Sequence, residues 1–111
     1  MFADVNNNMT IAREEIFGPV LCIIGYDSED DAIAIANDTP YGLAAYVWTN
    51  DIKRAHRVAH AIDTGMCWIN SQNVRDLRTP FGGVGQSGMG REGGMEAMRF
   101  FTEAKNVGIA L

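Results

Sequence analysis

The hydrophobic residues of this chain fall into short runs separated by segments of mixed polarity. The continuous apolar run 20–26 predicts a strand covered on both faces, because it is rich in β-branched residues and does not alternate. Residues 43–49 and 66–69 predict two further strands. In the tail 107–111, apolar residues recur at every second position, which predicts a final strand.

Three helices are predicted between these strands. Ser28 can cap the first free N–H groups and is followed by three carboxylates, so a helix is expected over 28–37. A second helix begins after Asp51, where apolar residues recur at spacings of three and four, and Gly65 is expected to end it as a C′ glycine. A third helix is predicted over 95–101. The order β-α-β-α-β-loop-α-β predicts an α/β fold with a largely parallel sheet and flanking helices.

Composition and charge narrow the class of protein. The chain has 111 residues, which fits one domain, and 47% of them are hydrophobic and 21% charged, as in ordinary folded proteins. Its net charge of -5 and the lack of a basic run argue against nucleic acid or an anionic membrane as the main partner. No apolar run approaches the roughly 20 residues of a membrane helix. Residues 1–4 do not resemble a secretory signal, and Cys22 and Cys67 do not make a disulfide framework, so a cytoplasmic location is expected.

Glycine is the one unusual feature of the composition. Seven of the 12 glycines lie between Gly82 and Gly94, and residues 83–88 have the letters G-x-G-x-x-G. In dinucleotide-binding folds this motif joins the end of a strand to the start of a helix. The nearest predicted strand ends at Ile69, so a loop that needs positive φ and tight packing is favoured. A small nucleotide-binding domain remains the minor alternative.

Reactive side chains give weaker signals. Cys22 and Cys67 lie within predicted strands, where thiols are usually inert, so no catalytic residue is assigned. His56 and His60 are four residues apart on one predicted helix. No third ligand is evident, and a solvated polar face is favoured over a metal site.

Two loops hold residue types that suit ligands. The segment 14–20 combines two carboxylates, an aromatic ring and a Gly-Pro turn, and can present a carboxylate to sugar hydroxyls and a ring to a flat heterocycle. A capped turn accounts for the same residues. Arg75 and Arg78 follow the predicted strand 66–69, and ligands of α/β folds bind beyond the carboxyl ends of strands. The planar arginine fork suits a carboxylate, with a surface salt bridge as the equal alternative.

Taken together, six segments resemble the C-terminal part of the aldehyde dehydrogenase superfamily, in order and in spacing, over essentially the whole chain. They are residues 14–20, 36–44, 65–70, 80–83, 87–94 and 101–107. The loop 73–78 looks most like the 5-carboxymethyl-2-hydroxymuconate semialdehyde dehydrogenase branch. One departure is Gly85, where the family often has a lysine.

The resemblance implies oxidation of an aldehyde to a carboxylate with NAD or NADP as cofactor. By position, it implies that Glu15 binds the ribose hydroxyls beside the nicotinamide and that Phe17 packs against that end of the cofactor. Phe81 would line the aldehyde tunnel, with the Arg75 loop near its mouth. We hypothesise that Arg75 binds a substrate carboxylate, which makes a carboxylated semialdehyde the expected substrate.

The resemblance also implies a division of the chain and a set of partners. Residues 1–104 correspond to the C-terminal part of the catalytic domain, and residues 105–111 to an oligomerisation strand that joins a partner subunit's sheet. The family's nucleophilic cysteine, general-base glutamate and dinucleotide-binding domain are expected upstream, so this segment alone is expected to be inactive and to need them to hold NAD. The expected partners are a second copy and an N-terminal aldehyde dehydrogenase fragment. The alternative function is a non-catalytic oligomerisation or interaction module.

Overall fold

Two parallel strands joined by a helix form the centre of the structure. The computed structural model describes residues 1–111. Strands β2 (Ala44–Val47) and β3 (Met66–Ile69) pair along their whole length, and helix α3 (Ile52–Ala61) crosses between them and packs against both. Helix α2 (Glu29–Asn37) lies against α3. The predicted strands 43–49 and 66–69 are therefore confirmed, and the β-α-β order makes this pair parallel as expected.

The helices α2 and α3 begin where their caps predict. The Ser28 hydroxyl accepts the Asp31 N–H at 3.1 Å, and the Asp51 carboxylate accepts those of Lys53 and Arg54 at 2.9 and 3.2 Å. Two other helices are short, α1 (Thr10–Arg13) and α4 (Gly94–Phe101), and α4 matches the predicted third helix to within one residue. None of the four has the length and apolar character needed to cross a membrane.

The two main helices are also joined by an ion-pair cluster. The Glu29 carboxylate at the start of α2 accepts hydrogen bonds from Arg57 and Arg54 of α3, at 2.9 Å from Arg57 Nη2 and 2.9 Å from Arg54 Nε. The hydrogen bond from Arg57 is the main reason that the pKa of Glu29 lies below its ordinary value. The cluster fixes the start of α2 over the middle of α3.

The prediction that Gly65 ends α3 is wrong. The helix ends at Ala61, because Ile62 already takes an extended conformation (φ -87°, ψ 127°). Gly65 serves another purpose: a Cβ atom there would overlap the carbonyl oxygen of Gly82. Glycine therefore lets the start of β3 lie directly against the glycine-rich loop.

The glycine-rich segment is a loop containing one very short strand. Strand β4 (Val84–Gly85) pairs antiparallel with β1 (Tyr41–Gly42), and Gly85 has a φ of 58°, a conformation that favours glycine. The motif 83–88 follows irregular backbone, and the next helix begins only at Gly94. The loop interpretation is therefore confirmed, since the motif does not join a strand to a helix as dinucleotide binding requires.

The predicted strand 20–26 is not a regular strand. Cys22 forms a single bridge with Phe2, in which the Phe2 N–H donates to Leu21 at 2.7 Å and the Ile23 N–H donates to Phe2 at 2.8 Å. The bridge does not extend into a regular ladder, because Asp4 has a φ of 56° and turns its segment out of the extended conformation. One longer hydrogen bond follows, from the Val5 N–H to the Ile23 carbonyl at 3.4 Å. A single sheet does not form: the longer pair β2–β3 is parallel as expected, and the two-residue pair of Tyr41–Gly42 with Val84–Gly85 is a separate antiparallel sheet.

The predicted final strand does not form within this chain. Residues 103–111 follow α4 without a backbone hydrogen bond to any other segment. A strand needs a neighbour to satisfy its N–H and C=O groups, and this chain offers none at that point. Pairing of residues 105–111 with a second copy therefore stays a prediction.

Most of the apolar surface is uncovered. Only four of the 111 residues are buried, two of them being Val5 and Ala55. The accessible surface is 8978 Å², whereas a compact monomer of this mass exposes about 6,000 Å². The radius of gyration is 18.6 Å, against about 13 Å for a compact domain of this length. The chain therefore has regular helices and strands, but it does not enclose a hydrophobic core of its own.

The Asp51 cap gives a direct test of how α3 is held. We expect Asp51→Ala to lower the free energy of unfolding by about 1 kcal/mol, because two N–H groups lose their acceptor. Urea denaturation followed by circular dichroism at 222 nm measures the change. Asp51→Asn keeps an acceptor oxygen and is the matched control. Equal stability of Asp51→Ala and wild type would contradict the role of the cap.

Candidate functional site

A cavity of about 350 Å³ opens between β3 and the loop that follows it. Residues 65–68 form one wall, the loop 74–81 forms the opposite wall, and Glu92 and Gly93 close a third side. The surroundings combine apolar side chains with charged groups of both signs, which is typical of a site for a small polar ligand.

Side-chain hydrogen bonds hold the two main walls in place. Trp68 stacks on Tyr46 with ring centroids 5.4 Å apart, and its indole N–H donates to the carbonyl of Val74 at 2.8 Å. Just beyond β3, the Asn70 amide donates to the Thr49 carbonyl at 2.7 Å and accepts the Thr49 N–H at 2.9 Å. The loop that begins after Asn70 is thus tied to both strands of the parallel pair.

Arg75 and Phe81, the two predicted substrate residues, are brought together in this cavity. The Arg75 guanidinium carbon lies 4.3 Å from the centroid of the Phe81 ring, a cation–π contact. Arg75 Nη2 also lies 4.0 Å from an oxygen of Glu92. The Arg75 side chain is 48% exposed and donates no hydrogen bond to another group of the chain. Its donors are therefore available to an anion.

The two arginines of the loop differ in their contacts: one forms a surface salt bridge, and the other is available to bind a carboxylate. Arg78 is engaged by Asp76, with Nη2 2.6 Å and Nε 2.9 Å from carboxylate oxygens, and this hydrogen bonding holds the pKa of Asp76 below its ordinary value. Arg78 is thus the surface salt bridge. Arg75 lacks such a partner and is the candidate for ligand binding.

Glu92 reaches the cavity through a pairing of two loops. Its N–H donates to the Phe81 carbonyl at 2.6 Å, and the Phe81 N–H donates back at 2.8 Å, which makes an isolated antiparallel bridge. Trp68 and Glu92 lie in two of the segments that resemble the family, 65–70 and 87–94, but neither is among the predicted site residues. Their contacts with the loop 74–81 place them in the cavity.

The cysteines do not have the surroundings of an activated nucleophile. Cys67 lines the cavity, and burial raises the pKa of its thiol, so little thiolate is present at neutral pH. The Cys22 thiol donates to the Ile11 carbonyl at 3.5 Å, on another side of the structure.

The two histidines on α3 are both exposed. His56 and His60 lie on its solvent side. Across the whole chain, no group of three or more His, Cys, Asp or Glu side chains is arranged to hold a metal ion.

Glu15 and Phe17, the predicted cofactor residues, lie away from this cavity. Glu15 lines a separate open cleft of about 420 Å³ that has no lining residue in common with the first. The Phe17 ring is 98% exposed, and Glu15 makes no salt bridge. The Glu15 carboxylate and the Phe17 ring are therefore not engaged by other charged groups or by packing within this chain.

The fold and the site together define an α/β protein with a ligand cavity beside a parallel strand. The profile of the aldehyde dehydrogenase family matches residues 1–107. The chain belongs to the aldehyde dehydrogenase family, which confirms the family predicted from the sequence.

Relatives share about half of their residues with this chain. It is 50% identical over 107 residues to 2-aminomuconic 6-semialdehyde dehydrogenase of a Pseudomonas species, covering 96% of this chain and 22% of that protein. It is 49% identical over 111 residues to betaine aldehyde dehydrogenase of Cereibacter sphaeroides, covering 100% and 23%.

A solved structure shows the same fold. The chain is similar to the crystal structure of Mycobacterium tuberculosis aldehyde dehydrogenase complexed with NAD+, with a TM-score of 0.87 and 55% identity. The match covers 91% of this chain and 21% of that one. The chain thus spans less than a quarter of the length of these relatives.

The reactivity of Cys67 tests the environment of the cavity. Because its pKa is raised, we expect iodoacetamide to alkylate Cys67 more slowly at pH 7 than in the urea-unfolded chain, and faster as the pH rises. Peptide mapping by mass spectrometry follows each cysteine separately. A Cys67 rate at pH 7 equal to that of the unfolded chain would contradict this account.

Proposed function

We propose that this chain is the C-terminal part of an NAD- or NADP-dependent aldehyde dehydrogenase that oxidises a carboxylated semialdehyde to a dicarboxylate. The observation that supports the substrate is Arg75, whose guanidinium lies over Phe81 in the cavity and donates no hydrogen bond to the chain. An arginine in this state is a binding group for a carboxylate, because its planar fork matches two carboxylate oxygens.

The charge of Arg75 distinguishes between the substrates in the names of the relatives. A muconic semialdehyde keeps one carboxylate beside the aldehyde, whereas betaine aldehyde is a quaternary ammonium cation. A guanidinium attracts the first and repels the second. The identities of 50% and 49% do not separate the two classes. The cavity also holds the carboxylates of Asp76 and Glu92, but the guanidinium of Arg75, which donates no hydrogen bond to the chain, supports the semialdehyde.

Three side chains of the cavity would take part in binding the substrate. Arg75 would hold the distal carboxylate, and the rings of Phe81 and Trp68 would cover the carbon chain between the two ends of the substrate. Binding both ends aligns the aldehyde and limits its rotation, which lowers the entropic cost of the reaction.

The second cleft would hold the cofactor. Glu15 would accept hydrogen bonds from the ribose hydroxyls, and the exposed ring of Phe17 would pack against the nicotinamide end. The cofactor, when bound, accepts a hydride from the aldehyde carbon. These two residues therefore position the acceptor while Arg75 positions the donor.

The catalytic groups would come from another polypeptide segment. Cys67 has a raised pKa and Cys22 is a hydrogen-bond donor, so neither is suited to attack an aldehyde. The uncovered surface described above favours association with an N-terminal aldehyde dehydrogenase fragment that supplies a nucleophile. We therefore infer that the chain alone does not oxidise aldehydes.

Complementation with the remaining segment of the Pseudomonas relative tests this function. In the mixture, followed by NADH absorbance at 340 nm, we expect Arg75→Ala to raise the KM for a carboxylated semialdehyde about tenfold or more, because a charged hydrogen-bonding partner is lost. The KM for an uncharged aldehyde of equal length should not change. Arg78→Ala is the matched control, and each segment alone is the blank.

Two results would contradict the proposal. An unchanged KM of Arg75→Ala for the carboxylated substrate would show that the carboxylate binds elsewhere. Turnover by this chain without the added segment would show that it holds its own nucleophile.

The C-terminal tail, residues 105–111, favours self-association of the chain. Val107, Ile109 and Leu111 are at least 69% exposed and recur at every second position, so they form one apolar edge of an extended segment. We propose that residues 105–111 pair with the sheet of a second copy, which would satisfy their free backbone groups.

Light scattering at several concentrations tests the tail. We expect a dimer or a larger assembly, and we expect Ile109→Lys to shift it towards monomer, because a charge on the apolar edge would be buried by the pairing. Ala110→Lys places the same charge on the opposite side and is the control. A wild-type chain that stays monomeric would overturn the proposal.

A further inference from the structure

The side chain of Glu92 lies opposite the one arginine of the cavity that has its donors free. Its backbone is fixed by the two main-chain hydrogen bonds to Phe81, at 2.6 and 2.8 Å. Its side chain is 78% exposed, and a carboxylate oxygen lies 4.0 Å from Arg75 Nη2. The bridge holds the backbone of Glu92 beside Phe81, while its carboxylate is largely exposed to water.

The contact between Arg75 and Glu92 is an ion pair without a hydrogen bond. At 4.0 Å the two groups attract each other, but the donor–acceptor distance exceeds that of a hydrogen bond. In the neighbouring pair, Arg78 and Asp76 are joined at 2.6 Å. The carboxylates of Asp76 and Glu92 both line the cavity, but Asp76 is closely bound by Arg78, whereas Glu92 is only loosely paired with Arg75.

We propose that Glu92 is a specificity-determining residue that acts as an internal substitute for the substrate carboxylate. In the absence of substrate it partly neutralises Arg75, and a carboxylated ligand displaces it by forming the closer, bidentate contact. This inference rests on the proposed function, because it takes Arg75 as the carboxylate-binding group.

Displacement has a direct consequence for selectivity. A ligand without a carboxylate offers nothing in exchange for the Arg75–Glu92 attraction, so it leaves the pair intact and gains no binding from Arg75. A carboxylated ligand gains the difference between a hydrogen-bonded pair and a loose one. Only a ligand carboxylate placed close to Arg75 can therefore displace Glu92. The competition from Glu92 also lowers the affinity of Arg75 for that carboxylate.

Calorimetric titration of the full chain with cis,cis-muconate, in low-salt buffer at pH 7, tests the proposal. We expect Glu92→Gln to lower the Kd about two- to fivefold, the range that an exposed ion pair provides. Glu92→Asp keeps the charge and should bind much as the wild type does. Asp76→Asn removes an equal charge from the opposite wall of the same cavity, where the carboxylate is bound by Arg78, and should change the Kd less than Glu92→Gln.

The variant Arg75→Ala distinguishes a failure of the carboxylate site from a failure of the role proposed for Glu92. If Arg75→Ala binds muconate as well as the wild type, or if the wild type does not bind it, the carboxylate site and with it the role of Glu92 are wrong. If Arg75→Ala weakens binding but Glu92→Gln does not strengthen it beyond Asp76→Asn, only the role of Glu92 is wrong.

The double variant gives the final check. We expect Glu92→Gln to have no effect on muconate binding in the Arg75→Ala background, because there is then no guanidinium to release. An equal gain in both backgrounds would mean that Glu92 acts through general charge, which overturns the proposal. Should Glu92→Gln lower the thermal midpoint of the chain, Glu92→Ser replaces it in the same titrations.

Discussion

The parallel pairing of β2 and β3 is the constraint on which the other features depend. Helix α3 can cross between the strands only if both run the same way, and this places the ends of β2 and β3 side by side. The loop that follows β3 therefore begins next to β2, where Asn70 joins it to Thr49. That loop carries Arg75 and Phe81, and β3 itself supplies the facing wall with Trp68.

Local signals in the sequence predict the elements well and their assembly poorly. Ser28 and Asp51 act within three residues of themselves, so their caps are visible in the letters and are confirmed. Strand 20–26 fails because pairing depends on a distant partner, and the turn at Asp4 is not visible in the apolar pattern. The sequence pattern predicts Gly65 at a helix end, whereas in the structure it lies against Gly82, which is 17 residues further along the chain. No local rule predicts such a contact.

In the candidate site, too, residues close in sequence are predicted and a residue brought in by a long-range contact is not. Arg75 and Phe81 are close in sequence and the family resemblance marks both, and the structure brings them into contact. Glu92 was missed because it joins them through a backbone bridge between two irregular segments. Glu15 lines a separate cleft and Phe17 is almost fully exposed, so the substrate and cofactor candidates lie in different places.

The Asn70 side chain has one more consequence, for how such a site can vary. Its amide pairs with both backbone groups of Thr49 as a further strand residue would, while its own backbone turns away with a φ of 50°. The sheet is thus closed off by a side chain before the loop departs. Residues beyond that point can change in sequence or in length without exposing the ends of β2 and β3. A single asparagine in this way separates the paired strands from the loop that lines the cavity.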